Sequence, residues 1–241
     1  MLMDSIYKNT VSLKKKCMKK ILYVLTALLL TISACKPEKK QETVTVPEQT
    51  ILEKVAYAHG FENWNAIKEV RFTFNVDRDT IHFERHWTWN TKTQDVQGIS
   101  RGDTIRYNRR SVDSITSKTD AGFINDKYWL LAPINILWDQ NSLTYSVEEK
   151  VPAPISNDSL TKLTVVYGNE GGYTPGDAYD FFLGDDYKVR EWIFRRGNAA
   201  EPSSVTTWED YETINGLSIA KMHKNKEGNF SLYFSGLEVK K

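Results

Sequence analysis

The sequence predicts a mainly β domain in which about eleven antiparallel strands follow one N-terminal helix, with a short helical insertion packed on the sheet. Three observations support this fold class. From Val70 onward, apolar and polar residues alternate with period two. Turns rich in Gly, Asp or Asn interrupt the alternation every eight to twelve positions. The chain also contains seven Trp and twelve Tyr, which in a β domain mostly fill the core or pair across strands.

The strand segments follow from this alternation and from the turns between them. Gly184-Asp185-Asp186, Asn215-Gly216 and Glu227-Gly228-Asn229 each supply residues that tolerate positive φ, so each is predicted to join two antiparallel strands. The predicted strands are 70–76, 80–89, 93–100, 104–109, 143–149, 160–167, 178–183, 187–196, 205–213, 217–224 and 230–239.

One amphipathic helix is predicted before the strands. Proline suits the first turn of a helix, so Pro47 marks its start, and Gly60 marks its end. A further short turn is predicted at 63–67. The helix is expected to cover an apolar face of the sheet, because one stripe of its surface consists of Ile51, Leu52, Val55 and Ala56.

The segment from Lys127 to Trp138 breaks the alternation. It is almost continuously apolar and has Pro133 at its centre. A proline disfavours a central strand and interrupts a continuous helix, so two short helical turns packed on the sheet are predicted. Two roles remain open for the segment: a plug that completes the core, or a lid over an apolar groove.

The first 35 residues form a separate pattern. An apolar run from Ile21 to Thr31 leads into Ile32-Ser33-Ala34-Cys35 and follows five lysines, Lys14, Lys15, Lys16, Lys19 and Lys20. The run is shorter than the ~20 apolar residues that span a bilayer. This order resembles a bacterial lipoprotein signal peptide with its lipobox, so residues 1–34 are predicted to be removed and Cys35 to carry lipid. A retained transmembrane anchor is the alternative.

Lipidated Cys35 would attach the chain to a membrane. Each methylene of an acyl chain such as palmitate contributes about 0.8 kcal/mol when buried, so two or more chains hold a protein there durably. Residues 35–46 are polar and charged and are predicted to be a flexible tether, followed by one β domain at 47–241. Lys36 follows the lipidated residue where aspartate is associated with inner-membrane retention, which favours the outer membrane. The side that the domain faces stays open.

Composition excludes several function classes. Of 32 basic and 31 acidic residues, six lysines and one aspartate precede Cys35, so 26 basic and 30 acidic residues remain, a formal charge of about −4. Nucleic acid is therefore not an expected partner. Cys17 lies in the predicted signal peptide, which leaves no thiol in the domain for a disulfide or a metal. No cofactor is expected, and the protein is expected to be a monomer.

The domain resembles the bacterial outer-membrane lipoprotein carrier family (LolA/LolB-like) over roughly 47–239. The resemblance rests on the helix with Gly60, the aromatic meander and the mid-chain segment Trp129-Leu130-Leu131-Ala132-Pro133. It implies a curved, open half-barrel whose concave face is covered by helices and binds acyl chains. Four arginines suit the family's key arginine equally: Arg71, Arg85, Arg190 and Arg195. Two segments, Tyr57–Gly60 and Glu191–Phe194, are also similar to uncharacterised lipid-anchored Bacteroidetes proteins.

The resemblance implies a non-enzymatic protein that binds a lipid or a lipidated partner, such as a lipoprotein, in an apolar groove. Such a groove binds its ligand through apolar burial at about 25 cal/mol per Å². The alternative is a structural or interaction lipoprotein whose core is filled by its own side chains. No catalytic residue is predicted, because the sequence has no His-Glu-x-x-His or Cys-x-x-Cys. The residues predicted to line the groove are Trp87, Trp89, Trp129, Leu130, Leu137, Trp138, Phe181 and Trp192.

Two acidic or histidine-rich patterns raise the question of a metal. His82, Glu84 and His86 project from one face of a predicted strand, but side chains at i and i+4 lie about 13 Å apart at a rise of ~3.3 Å per residue. A polar outer face opposite Ile81, Phe83, Trp87 and Trp89 is the preferred interpretation. Glycine-rich residues 168–177 lack the lysine and the following helix of a phosphate-binding loop and are predicted to be a connection. Four aspartates could bind calcium, but Asp185 and Asp186 also suit a tight turn, so no calcium site is predicted at Asp177, Asp180, Asp185 and Asp186.

Overall fold

The computed structural model describes residues 48–170 and 174–241, and the mainly β prediction is confirmed there. The predictions for residues 1–47, including the signal peptide, Cys35 and the tether, lie outside the described residues. The described strands are β1 (Glu69–Arg78), β2 (Ile81–Asn90), β3 (Asp95–Ser100), β4 (Asp103–Asn108), β5 (Leu143–Pro152), β6 (Ser159–Tyr167), β7 (Ala178–Leu183), β8 (Val189–Arg195), β9 (Ser204–Thr207), β10 (Glu209–Ile214), β11 (Leu217–Lys224) and β12 (Phe230–Lys240).

The strands form two open antiparallel sheets. One has seven strands in the order β10-β11-β12-β1-β2-β3-β4, and the other has five in the order β5-β6-β7-β8-β9. Most neighbours are consecutive hairpin strands, as the turn residues predicted. The exception is β1, which pairs with the last strand, β12, from Glu69 opposite Lys240 to Arg78 opposite Phe230. The first and last strands of the domain therefore lie in the middle of the larger sheet.

The predicted strand 205–213 is wrong as a single element, because the chain changes sheets at Trp208. β9 belongs to the five-stranded sheet and β10 to the seven-stranded sheet. The Trp208 backbone N–H donates to the Arg190 carbonyl at 2.7 Å, its indole is buried, and Asp210 has φ of 54°. Burying this large ring at a backbone bend moves the chain from one sheet to the other.

Helix α1 (Ile51–Ala58) begins later than predicted. Thr50 is its N-cap: the Thr50 hydroxyl accepts from the Glu53 N–H, and the Glu53 carboxylate accepts from the Thr50 N–H. This capping box satisfies two backbone donors and fixes the start at Ile51 rather than at Pro47. Gly60 follows the helix with φ of 87°, and a Cβ there would lie 1.9 Å from the Gly216 carbonyl oxygen. A 3₁₀ helix, Phe61–Ala66, then occupies the predicted short turn.

Helix α2 (Ser117–Trp138) corrects the prediction of two short helical turns. It has 22 residues and begins ten residues before the apolar segment. Pro133 is accommodated by a kink, since Leu131 leaves helical geometry with φ of −129° and ψ of 16°. The second half of the helix is buried on almost every side, so its sequence shows no amphipathic stripe that would have revealed it.

The core lies on both sides of α2. On the side of the five-stranded sheet, Tyr128, Ala132 and Ile136 pack with α1 and with aromatic residues of β7 and β8. On the side of the seven-stranded sheet, Phe123 and Leu130 pack against β1, β2 and β12. The apolar segment, predicted as either a plug or a lid, is thus the second half of a helix that packs in the core on both of its sides. No helix within residues 48–170 and 174–241 is long and apolar enough to cross a membrane.

Candidate functional site

An apolar groove lies open between α2 and one end of the seven-stranded sheet. Its volume is about 390 Å³, which is within the usual range for small-molecule sites. Arg78 and Asn125 are polar members of its wall. The remaining lining residues are apolar and come from β1, β2, β12 and α2: Phe74, Val76, Ile81, Phe83, Trp129, Phe230 and Leu232.

The groove exists because α2 covers β2 unevenly. Inward residues of β2 alternate with outward ones, as the sequence predicted, but their burial rises along the strand. Ile81 is 70% exposed and Phe83 is half-buried, whereas Trp87 and Trp89 are 4% and 3% exposed. The Trp end is packed under Phe123 of α2, with ring centroids 5.3 and 5.6 Å apart. The Ile81 end has no such cover and leaves apolar surface open to solvent.

Arg85 occupies the inward position between these two ends. Its guanidinium lies over the rings of Phe74 and Phe83, 5.4 and 4.9 Å from the centroids. It forms a two-pronged ion pair with Asp126 of α2: Nε donates to Oδ2 at 2.6 Å, and Nη2 donates to Oδ1. Of the four strand arginines that the sequence left equivalent, Arg85 is therefore the one that joins the sheet to α2 beside the groove.

Asp126 is fully buried, and four donor groups surround its carboxylate. Besides the two from Arg85, Trp87 Nε1 donates to Oδ2 at 2.8 Å and Asn125 Nδ2 donates to Oδ1 at 3.0 Å. Burial raises the pKa of Asp126, and the Arg85 guanidinium opposes that shift. A buried carboxylate with this many donors fixes the position of α2 against β2.

A second opening, the cationic cavity, lies on the other side of Arg85. It has a volume of about 400 Å³ between β2, β3, β4 and the first turns of α2. Arg85, Arg101 and Lys118 contribute positive charge, and Phe83 lines both this cavity and the apolar groove. The other lining residues are Trp87, Gly98, Ile99, Ser100, Asp103, Ile105, Thr119 and Gly122.

Two glycines make room at the cationic cavity. A Cβ on Gly98 would lie 2.4 Å from the Trp87 ring, so glycine is required for that indole to pack against β3. A Cβ on Gly122 would lie 3.2 Å from the Arg85 guanidinium. The close approach of α2 and β3 to β2 therefore depends on small residues at both points.

The titratable groups with large pKa shifts lie in the core rather than at either opening. Burial lowers the pKa of Lys127 to about 7, where its amine lies over the rings of Trp89 and Trp138 at 5.2 and 5.4 Å. Burial also lowers the pKa of His59 to about 4 and that of His223 to about 3. None of these three lines the apolar groove or the cationic cavity.

The eight residues predicted to line one groove do not lie at one site in the structure. Trp129 lines the apolar groove and Trp87 lines the cationic cavity. Trp138 is half-buried and packs edge-on against Trp64. The other five are buried in the core at 7% exposure or less: Trp89, Leu130, Leu137, Phe181 and Trp192.

Most residues that form the apolar groove were missed as site residues. The alternation had placed Ile81 and Phe83 on the inner face of β2, yet the site prediction favoured tryptophans. A usable signal was Arg85, a charged residue at an inward position of an otherwise apolar series. Its partner Asp126 lies 41 positions away, and no local pattern connects the two.

The side chains of both candidate metal patterns have ordinary protein partners. His82 Nδ1 lies 2.6 Å from Asp77, and His82 and His86 flank Glu84 at 3.6 and 3.4 Å on the outer face of β2. Asp180 pairs with Arg195, Asp186 pairs with Arg190, and Asp177 accepts from the Gly197 N–H. Over the described ranges, no group of three or more His, Cys, Asp or Glu side chains is arranged to hold a metal.

No family model matches the chain, and no curated protein matches it. Among solved structures it is similar to a DUF1329 family protein from Desulfovibrio piger ATCC 29098, with a TM-score of 0.45, 9% identity and coverage of 78% of this chain and 91% of that one. It is also similar to an outer membrane lipoprotein-sorting protein domain from Vibrio parahaemolyticus, with a TM-score of 0.43, 13% identity and coverage of 78% and 93%.

One of these two neighbours bears the name of the family that the sequence resembles. At TM-scores below 0.5 the likenesses do not assign the fold, which rests on the sheets and helices of this chain. The resemblance to Bacteroidetes proteins gains no support from these comparisons.

Proposed function

We propose that this chain is a lipid-anchored protein of the cell envelope that holds an acyl chain in the apolar groove without catalysing a reaction. The observation that carries the proposal is the groove itself. Apolar side chains of three strands and of α2 line an open space beside a sheet whose other end is fully packed. Each methylene transferred from water into such a space contributes about 0.8 kcal/mol.

The same proposal includes the location of the protein in the cell. A lipid on Cys35 and a tether at 35–46 would keep the domain near a membrane, where acyl chains are available, and the outer membrane is the favoured site. The ligand would be a lipid or the acyl chains of a lipoprotein. The protein would act as a monomer, because a groove within one chain needs no second subunit.

A photoreactive acyl probe tests the groove directly. The full chain, purified in an uncharged detergent, would be irradiated with a diazirine derivative of hexadecanol, and the labelled peptides mapped by mass spectrometry. We expect labels on β1, β2, α2 and β12 near the groove. Native mass spectrometry of the same protein would show whether a lipid beyond the anchor is retained.

A matched pair of valine substitutions supplies the control. Val76 lines the groove, whereas Val147 is 42% exposed on β5 of the other sheet. Val76→Glu would place a charge in the groove and should abolish labelling there, because burying an unpaired carboxylate is costly. Val147→Glu should leave labelling unchanged. Labels spread evenly over the surface, or equal effects of the two variants, would refute acyl-chain binding.

A structural or interaction lipoprotein is the second candidate function. The filling of the interior by α2 favours it, since five of the eight predicted lining residues are core residues. In that case the groove would be a shallow surface feature. No retained lipid, together with no probe labelling in the groove, is the expected result for this candidate.

A further inference from the structure

The apolar groove and the cationic cavity are neighbours. Phe83 lines both, and Arg85 lines the cationic cavity while its guanidinium lies over Phe83 and Phe74 of the apolar groove. A molecule that lies along β2 past Phe83 would therefore contact apolar side chains at one end and cationic side chains at the other. The two openings have similar volumes, about 390 and 400 Å³.

The cationic cavity has a surplus of positive charge. Asp126 already pairs with Arg85, so Arg85 contributes little net charge. Arg101 reaches the cavity from the β3–β4 turn and Lys118 from the first turn of α2. Within the part of the chain that the structure describes, neither forms an ion pair, and Asp103 is the one carboxylate among the described lining residues. Two cations and one carboxylate leave a net charge of about +1 in the cationic cavity, which favours one bound anion.

The geometry points to a ligand that is an anionic, single-chain lipid, with its hydrocarbon chain in the apolar groove and its carboxylate or phosphate between Arg101 and Lys118. This assignment rests on the proposed function and narrows the proposed ligand to lipids with a negatively charged head group. Uncharged lipids would fill the groove but would leave the two cations without a partner. The cations thus act on specificity, whereas the apolar side chains supply most of the affinity.

Two probes that differ only in their head group test the assignment. The full chain in uncharged detergent would be labelled with diazirine-bearing palmitic acid and, separately, with the matching hexadecanol. Because micelles take up the two probes differently, the measured quantity is the acid-to-alcohol labelling ratio at the groove for each variant. For Arg101→Gln/Lys118→Gln we expect this ratio to fall about three- to tenfold, as for two solvent-exposed charge pairs.

A second double variant controls for net charge. Arg71→Gln/Arg106→Gln removes the same number of cations, but Arg71 pairs with Glu69 and Arg106 donates to Gln97, and neither residue lines the cationic cavity. Its labelling ratio should equal that of the unsubstituted chain. The alcohol probe should label all these variants equally, which also shows that the groove is still folded.

The possible outcomes separate the inference from the proposed function. A ratio unaffected by Arg101→Gln/Lys118→Gln, with the alcohol still labelling the groove, overturns the anionic assignment and leaves acyl-chain binding intact. No groove labelling by either probe overturns both. If millimolar inorganic phosphate lowers the ratio to the double variant's value without reducing alcohol labelling, the cavity is a phosphate site, and assignment of its anion to the lipid is overturned.

Discussion

The two sides of α2 differ in how completely they are filled. On the closed side, every residue of β7 is buried, and Trp192 of β8 contacts the rings of Tyr128, Trp129 and Trp208. On the open side, β2 is packed at Trp87 and Trp89 but exposed at Ile81. Clusters of aromatic side chains therefore mark the core of this protein, whereas the apolar groove lies where β2 extends past the cover of α2.

The greatest loss of stability is expected from a substitution on the closed side. Trp192→Ala would leave a large cavity among five aromatic rings, and we expect the free energy of unfolding to fall by about 3–5 kcal/mol. Urea denaturation followed by circular dichroism measures it. Phe83→Ala on the open side is the comparison and should cost about 1 kcal/mol, because that ring is already partly in water. Equal losses for the two variants would contradict the contrast between the sides.

The next effect concerns the ion pair at the boundary between packed and open surface. Asp126→Ala would leave the Arg85 guanidinium against two Phe rings without its partner. A fully buried charge left this way costs about 3–5 kcal/mol, and since Arg85 is 24% exposed we expect about 2–3 kcal/mol. Arg85→Met/Asp126→Leu, which removes both charges, should recover at least half of this loss. If the stability loss of Arg85→Met/Asp126→Leu equalled the sum of the losses of Arg85→Met and Asp126→Leu measured separately, that result would argue against the pairing.

The pH dependence of stability tests whether His59 and His223 are buried in their neutral form. His59 and His223 have folded pKa values of about 4 and about 3, below the ordinary 6.5, so the unfolded chain takes up protons first as the pH falls. The contribution of these neutral, buried histidines to the free energy of unfolding is complete above pH 6.5. It is lost progressively as the pH falls below that value. From pH 6.5 to pH 5 each histidine should lower the free energy of unfolding by about 1–2 kcal/mol.

Substitution of the two kinds of histidine separates their contributions. His223→Gln should flatten the acid-side decline, measured by urea denaturation at each pH. Asp77 raises the pKa of exposed His82, so the contribution of His82 is present at low pH and lost as the pH rises. His82→Gln should therefore not flatten the decline. Identical pH profiles for His223→Gln and the unsubstituted chain would show that His223 is not buried in its neutral form.

The smallest effect on stability is expected on the open side. Ile81→Ser changes a side chain that is 70% exposed, so the free energy of unfolding should stay within about 0.5 kcal/mol. The same change should reduce hexadecanol labelling of the groove severalfold, because it removes apolar surface at the groove mouth. A stability loss above about 1 kcal/mol would show that Ile81 is packed, which would close the groove.

Much of the fold could be predicted from the sequence because it depends on local chemistry. Alternation and turn residues located nearly all strands, and Gly60 located the end of α1. The start of α1 was predicted at Pro47 and is instead set by the capping box of Thr50 and Glu53. The first half of α2 was missed, since its polar residues resemble a loop. The site was harder to predict, because the pairing of Arg85 with Asp126 and the exposure of Ile81 arise from how α2 crosses the sheet, which no single segment encodes.

The pairing of β1 with β12 has a consequence for biosynthesis. These strands are separated by almost the whole domain, so the larger sheet has a high contact order and its centre cannot form until β12 has been made. Until then β1 presents an unpaired edge of the kind that promotes aggregation. The two central strands of the larger sheet therefore pair late, so β1 depends on the rest of the domain for the partner that covers this edge.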